Sequence, residues 1–397
     1  MALQFERAEH EARIAAARKR LKEKNLDALL VFAQESHYYL TGFDTNGYVF
    51  FQCAIVTADD RPVILLTRKP DLNQARITSI MEDIRIWYDT ETANPAEDLK
   101  AILAELGLKG ARVGIELHTY GLIASQYVKV ERALAGWCHL EDASDVVRGL
   151  RIVKSPKEIE YTRKAAELAD NALEAMIETA GPGVFEGDVQ AAGQAAIWRG
   201  GGDVPASGPV LGSGERALLI RNSTGPRHLD PVDQLTMEYA GVYRRYHACM
   251  MRCIAIGSAT DYQRRMFEAS KDVAQAMAEA AKPGRPLGEI DDAHRATYDK
   301  AGFEHARMAA CGYSLGATYR PNWMDTPPML FSGNSTLAQP GMILFTHAIL
   351  VDKPKGYAMS VGRTLLITTT GSEVLSRLPI EYAICKEGGW GKARALK

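Results

Sequence analysis

The chain has 397 residues, 46% of them hydrophobic and 24% charged, which is enough to bury a large core in two domains. A formal net charge of -2 carries no basic excess, so composition points to a small-molecule substrate and away from nucleic acid. No apolar run approaches the roughly 18 residues of a membrane span, and the opening residues lack the apolar centre of a signal peptide, so a cytoplasmic protein without a membrane partner is expected.

The first element is an amphipathic helix over 5–24, with Ala8, Ala12, Ile14, Ala15 and Leu21 on its apolar stripe. Short β-rich apolar runs at 27–33, 48–56, 62–67 and 112–117 alternate with helical stretches near 72–79 and 96–106, so residues 1–152 read as an α/β domain. Ser155-Pro-Lys-Glu158 then supplies an N-cap, a first-turn proline and a capping-box glutamate, which predicts a long helix to about Thr179 and opens a second domain, 153–397. Gly181-Pro-Gly and Lys282-Pro-Gly each begin a similar string of glycine, acidic and β-branched residues, so this second domain reads as internally duplicated. Strands at 234–242, 246–256, 342–350 and 362–368 would form one sheet with the helices outside it, an α+β architecture with a cleft at the pseudo-twofold axis. The six cysteines have no paired C-x-x-C spacing and suggest neither a disulfide framework nor a structural zinc site.

Several motifs together carry a family resemblance. Arg151-Ile-Val-Lys-Ser-Pro-Lys-Glu-Ile159, Leu211-Gly-Ser-Gly214, the hairpin from Glu238 to Arg252, Cys311-Gly-Tyr-Ser-Leu-Gly316, Gln339-Pro-Gly-Met342 and Gly362-Arg-Thr-Leu-Leu-Ile-Thr368 occur in the order and spacing of the pita-bread family of creatinase, aminopeptidase P and prolidase, which this chain resembles. The resemblance implies a curved antiparallel sheet with outer helices, preceded by a creatinase-type α/β domain. It also implies a homodimer in which Tyr48, Phe50 and Gln52 of one subunit reach the neighbouring site. Metal-dependent members hold a dinuclear centre on two Asp, one His and two Glu. Laid onto this chain, those ligands fall on Glu238, Cys249, Tyr313, His347 and Gly362, of which only Glu238 and His347 are good ligands for a divalent ion. A centre of two dications needs several carboxylates, so the resemblance implies a site with no metal and no other cofactor. The catalytic histidine of creatinase falls on Arg221, which argues against a creatinase. Within the family, the segments 238–247, 312–316 and 319–323 and the histidine at 347 look most like ectoine hydrolases, which open a cyclic amidine ring.

Strand alternation adds an observation of its own: His247, Cys249 and Met251 share one face, and His347 shares a face with Ile349. The expected catalytic cluster is therefore Glu238, His247, Tyr313 and His347, with Cys249 in the floor. A cationic amidine is already activated at its central carbon and needs a carboxylate partner more than a Lewis acid. Glu238 fits as that partner, either attacking the carbon or serving as base for water. His347 or His247 would relay a proton to the departing nitrogen, and Tyr313 would donate to the tetrahedral intermediate. Arg221 and Arg363 are candidates for a substrate carboxylate, and Tyr319 and Trp323 for the walls of the site. Two other functions stay open: a metal-dependent Xaa-Pro dipeptidase and a binding module without turnover. His228, His294 and His305 read as surface residues, and the segment after Pro379 carries no interpretable motif.

Overall fold

The computed structural model describes residues 3–387, and the chain divides into two compact units, Met1–Arg151 and Ile152–Lys397. In the first unit the strands are β1 (Ala28–Val31), β2 (Cys53–Thr57), β3 (Ile64–Arg68), β4 (Asp83–Trp87), β5 (Arg112–Ile115) and β6 (His139–Asp142). They form a mixed six-stranded sheet in the order β4-β3-β2-β1-β5-β6, with helices α1 (Arg7–Glu23), α2 (Gln34–Thr41), α3 (Leu72–Thr78), α4 (Pro95–Glu105), α5 (Ala124–Leu134) and α6 (Asp145–Arg151). Two apolar clusters, one built around Leu30, Ile55 and Leu99 and the other around Leu21, Val31 and Leu65, fill this unit.

The second unit carries its duplication openly. Helix α7 (Pro156–Thr179) starts at a Ser155–Glu158 capping box and is followed by α8 (Glu186–Arg199). Helix α9 (Asp261–Ala280) starts at a Thr260–Gln263 capping box and is followed by α10 (Gly288–Lys300). Each pair turns on a Pro-Gly whose glycine has a left-handed φ, +76° at Gly183 and +78° at Gly284. Short strand β7 (Val210–Ser213) and the long hairpin β8 (Asp233–Tyr243) and β9 (Tyr246–Ile256) follow the first pair. Strands β10 (Gly312–Ser314) and β11 (Met329–Leu330) and the hairpin β12 (Ile343–Asp352) and β13 (Tyr357–Ile367) follow the second. One sheet results, ordered β11-β10-β12-β13-β9-β8-β7, with β14 (Ser372–Val374) beside β13 and β15 (Ile384–Cys385) running parallel to β9. Residues 388–397, the end of the segment without a motif, lie outside the described residues.

Alternation along β8, β9 and β13 assigns the two faces of this sheet. Tyr239 donates its hydroxyl to Ala169 O of α7 (2.9 Å), and Arg363 donates Nη2 to Ala274 O of α9 (2.9 Å), so these residues face the helices. A Cβ at Gly241 would lie 2.0 Å from Ala165 O, so the close seat of α7 on β8 depends on that glycine. Glu238, Cys249 and Met251 consequently face the other side, which the helices leave open.

Three local expectations differ from the structure. Residues 48–52 are a one-turn helix (Gly47–Val49) and an extended lead-in, and the strand proper begins at Cys53. Tyr313 sits on strand β10, which is not among the four strands expected in this unit. Helix α2 carries Ser, His and Tyr on faces that are nearly all buried, so no amphipathic stripe announces it.

Candidate active site

The open face of the sheet forms the floor of a cavity of about 440 Å³, a size suited to a small molecule. Glu238 of β8, Met251 of β9 and His347 and Ile349 of β12 line the floor. Tyr313 of β10 and Trp323 form one wall, while Met308, Met324 and Met329 enter from loops and the short edge strand β11. Ile220, Arg221 and Asn222 close the opposite side. That last segment is pinned: Arg216 donates to Asn222 Oδ1 (2.7 Å), and Asn222 Nδ2 donates to Leu211 O (2.9 Å).

One hydrogen-bonded chain runs into the cavity. Trp323 Nε1 donates to the Tyr313 hydroxyl (2.8 Å), which in turn donates to Glu238 Oε1 (3.4 Å). Burial pushes the Glu238 carboxyl up from 4.5 to about 7, against the opposing pull of the Tyr313 hydrogen bond and the Arg221 charge. Burial likewise raises Tyr313 well above its ordinary value, so its phenol stays a donor. For His347 the first cause is again burial, which lowers it to about 4 with help from the His294 charge and leaves the imidazole neutral at physiological pH. Among aromatic rings and thioethers, Glu238 is thus a poised carboxylate whose ionised form an organic cation would favour.

The expected site residues divide into three groups. Glu238, Tyr313, His347, Arg221 and Trp323 come together around the cavity. Cys249 lies beneath it, buried with Met251, Tyr313 and Phe345, and burial and the Glu238 charge push its thiol well up, which favours the protonated form. The others lie elsewhere. His247 shares the face of Cys249 but sits at the hairpin end, where Nε2 accepts from Ala206 N (3.0 Å) and Nδ1 meets Thr318 Oγ1 (3.3 Å). Both nitrogens are committed to backbone and loop, which corrects its expected catalytic role. Arg363 is on the helix side of the sheet, and Tyr319 is buried beneath the Arg245 guanidinium, 4.8 Å from its ring centroid. In the first unit, Gln52 is buried and donates to Gln34 Oε1 (2.7 Å). Tyr48 is also buried, and Phe50 is exposed beneath Arg68.

Two features were not foreseen. The four methionines of the lining, Met251, Met308, Met324 and Met329, give no sequence signal, because three of them arrive from outside the long strands. His294, expected at the surface, is fully buried on α10 beside Asp291, 3.4 Å from Nδ1 to Oδ1. Asp291 Oδ2 accepts from Arg295 (2.7 Å) and Ser332 N (3.0 Å), so an anchored ion cluster stands behind His347. The spacing of Asp291, His294 and Arg295 on one helix face is the signal that could have revealed it.

The positions that the resemblance assigns to metal ligands do converge. His347 pairs with Gly362 across β12 and β13, Gly362 with Met251, and Met251 with Glu238. Their chemistry does not suit a dinuclear centre. A Cβ at residue 362 would lie 2.6 Å from the Phe345 ring and 2.9 Å from Met251 Cβ, so side-chain bulk fills the place of one carboxylate. Among the described residues no three His, Cys, Asp or Glu side chains form a metal-holding group, and no helix is long and apolar enough to cross a membrane.

A duplicated helix-and-hairpin unit with its site on the open sheet face, preceded in the chain by a creatinase-type α/β unit, defines a pita-bread hydrolase. The chain belongs to Metallopeptidase family M24, whose match spans residues 160–369, and residues 13–153 match the Creatinase/Prolidase N-terminal domain. It is similar to the ectoine hydrolase of Halomonas elongata, 28% identical over 96% of this chain and 98% of that one. It is also similar to the Xaa-Pro dipeptidase of Pyrococcus horikoshii, 24% identical over 90% of this chain and 94% of that one. Among solved structures, the prolidase of Thermococcus sibiricus superposes with a TM-score of 0.84 at 18% identity, covering 94% of this chain and 99% of that one, a likeness of fold alone.

Proposed function

We propose that this protein is a metal-independent hydrolase that opens the ring of a small cyclic amidine, with ectoine the first substrate to test. The observation that carries the reading is the partly buried Glu238, the single carboxylate among the residues lining the cavity, hydrogen-bonded by Tyr313, which Trp323 holds in turn, among aromatic and thioether groups. A delocalised cation suits such walls, and a carboxylate can meet both amidinium N–H groups. Similarity to an ectoine hydrolase along nearly the whole chain supports the substrate class.

In this reading the bound cation keeps Glu238 ionised. The carboxylate takes a proton from water as the water oxygen bonds to the amidine carbon. It then returns that proton to the ring nitrogen as the carbon–nitrogen bond breaks, and the hydroxyl proton of the intermediate passes to the departing nitrogen, leaving an amide, an ammonium group and an ionised Glu238. A value near 7 lets one carboxyl serve as base and then as acid. Neutral His347 accepts a hydrogen bond from water or a substrate N–H, so its expected part as proton donor passes to Glu238. Arg221, exposed at the opposite side, meets the substrate carboxylate.

The relatives that are Xaa-Pro dipeptidases favour a second reading, cleavage of a dipeptide with a bound metal. Turnover assays with ectoine and with an Xaa-Pro dipeptide, each with and without added manganese, separate the two. Ectoine opening that is indifferent to metal supports the amidine reading, whereas manganese-dependent dipeptide cleavage alone would replace it.

A further inference from the structure

Beside Glu238 the cavity has a side pocket of about 40 Å³, deeper along the β12–β13 hairpin. Met251, Ile349, Val351 and Ala358 supply its apolar floor and Ala217 and Leu219 its roof. That volume holds roughly one to two water-sized groups, so size alone would admit water. Chemistry disfavours it. The two hydroxyls at the border are already committed: Thr236 Oγ1 donates to Gly212 O (3.2 Å), and Ser360 Oγ contacts Cys253 Sγ (3.4 Å). A buried water needs two to four polar partners, and this pocket offers little beyond the edge of Glu238. The two spaces share Val210, Ile220, Glu238, Met251 and Ile349, so a group seated here adjoins the place where the carboxylate would meet the reacting carbon.

Resting on the amidine reading above, we propose that this side pocket is a subsite for a small alkyl group, methyl or ethyl, borne on the amidine carbon. The protein is therefore selective for C-alkyl amidines over unsubstituted amidines and over guanidines. A hydrogen on that carbon leaves the pocket empty, and the third nitrogen of a guanidine would be buried there without a partner. A branched alkyl group exceeds the space.

Binding of three small cations tests this without any turnover. Ligand-observed NMR titrations at pH 8 would compare formamidinium, acetamidinium and guanidinium, the last two nearly equal in shape. Acetamidinium should bind roughly tenfold more tightly than either of the others, about what one buried methyl contributes to discrimination. Glu238→Gln should abolish binding of all three. Ala358→Val, which fills the pocket, should erase the preference, and Val351→Ala, which enlarges it, should admit isobutyramidinium, whose branched group the parent excludes. If Ala358→Val fails to fold, the wild-type comparison still decides. Equal affinities for acetamidinium and guanidinium, or no binding of either, overturn the subsite. Ring opening of a cyclic amidine by the same preparation is a separate readout that decides the proposed function independently.

Discussion

Replacing Glu238 by glutamine should abolish turnover and make the protein more stable at alkaline pH. The carboxyl goes from 4.5 in the unfolded chain to about 7 in the fold, with burial as the cause. Between those values the folded chain keeps a proton that the unfolded chain releases, so stability falls as pH rises across that window. The deficit is complete above about pH 7 and absent below about pH 4.5. At about 1.4 kcal/mol for each pH unit between the two values, ionised Glu238 costs about 3 kcal/mol. Glutamine keeps the shape and an acceptor for Tyr313 but does not ionise. The variant should therefore gain roughly 2–3 kcal/mol at pH 8.5, or several degrees in melting temperature, and match the parent at pH 4.5. Thermal and denaturant melts of both proteins at the two pH values supply the comparison. A variant no more stable than the parent at pH 8.5, or a gain independent of pH, would refute the claim that a functional carboxylate is held here against its own stability.

Activity should follow the same ionisation from the other side. With ectoine, kcat/KM should rise through an apparent pKa near 7 and level off above it, because the protonated carboxyl is inactive as a base. His347, lowered to about 4 by burial, adds no limb between pH 5 and 9. A flat profile over that range would contradict Glu238 as the base. Tyr313→Phe removes the side-chain hydrogen bond that Glu238 accepts from Tyr313, so the acid limb of the profile should move up by about one pH unit and activity at pH 6.5 should fall roughly tenfold. An unmoved limb would show that the 3.4 Å contact does not tune the carboxylate. His247→Ala should cost about 2–4 kcal/mol of stability, since it opens a buried space and leaves Ala206 N unpaired, while kcat changes less than threefold. Loss of kcat in a protein of near-parental stability would restore His247 to the catalytic set.

The duplicated half of the fold was legible because its signals are local and strong. The two capping boxes, the two Pro-Gly turns and the alternating hairpins each act over a few residues. The same alternation put His247, Cys249 and Met251 on one face, the face on which Glu238 lies opposite Met251, but it carries no information about distance along the strand. His247 therefore shares the face of the site while lying two positions beyond Cys249, under the 316–318 segment, where loop atoms occupy both ring nitrogens. Arg363 was misread for the complementary reason: its neighbour Gly362 faces the site, so residue 363 faces α9. His294 looked like a surface histidine because its helix is polar overall, and it is buried where α10 packs against α9 and the edge strand β11. The methionine lining depends on loops around 308 and 324, whose courses are set by tertiary contacts.

Turnover of ectoine by chelator-treated protein, with metal content measured on the same sample, tests the central claim most directly. Ring opening should proceed at an undiminished rate in protein that holds less than about a tenth of an equivalent of manganese, zinc, cobalt or iron. Activity that disappears with the metal and returns when it is added back would contradict a site run by Glu238 alone.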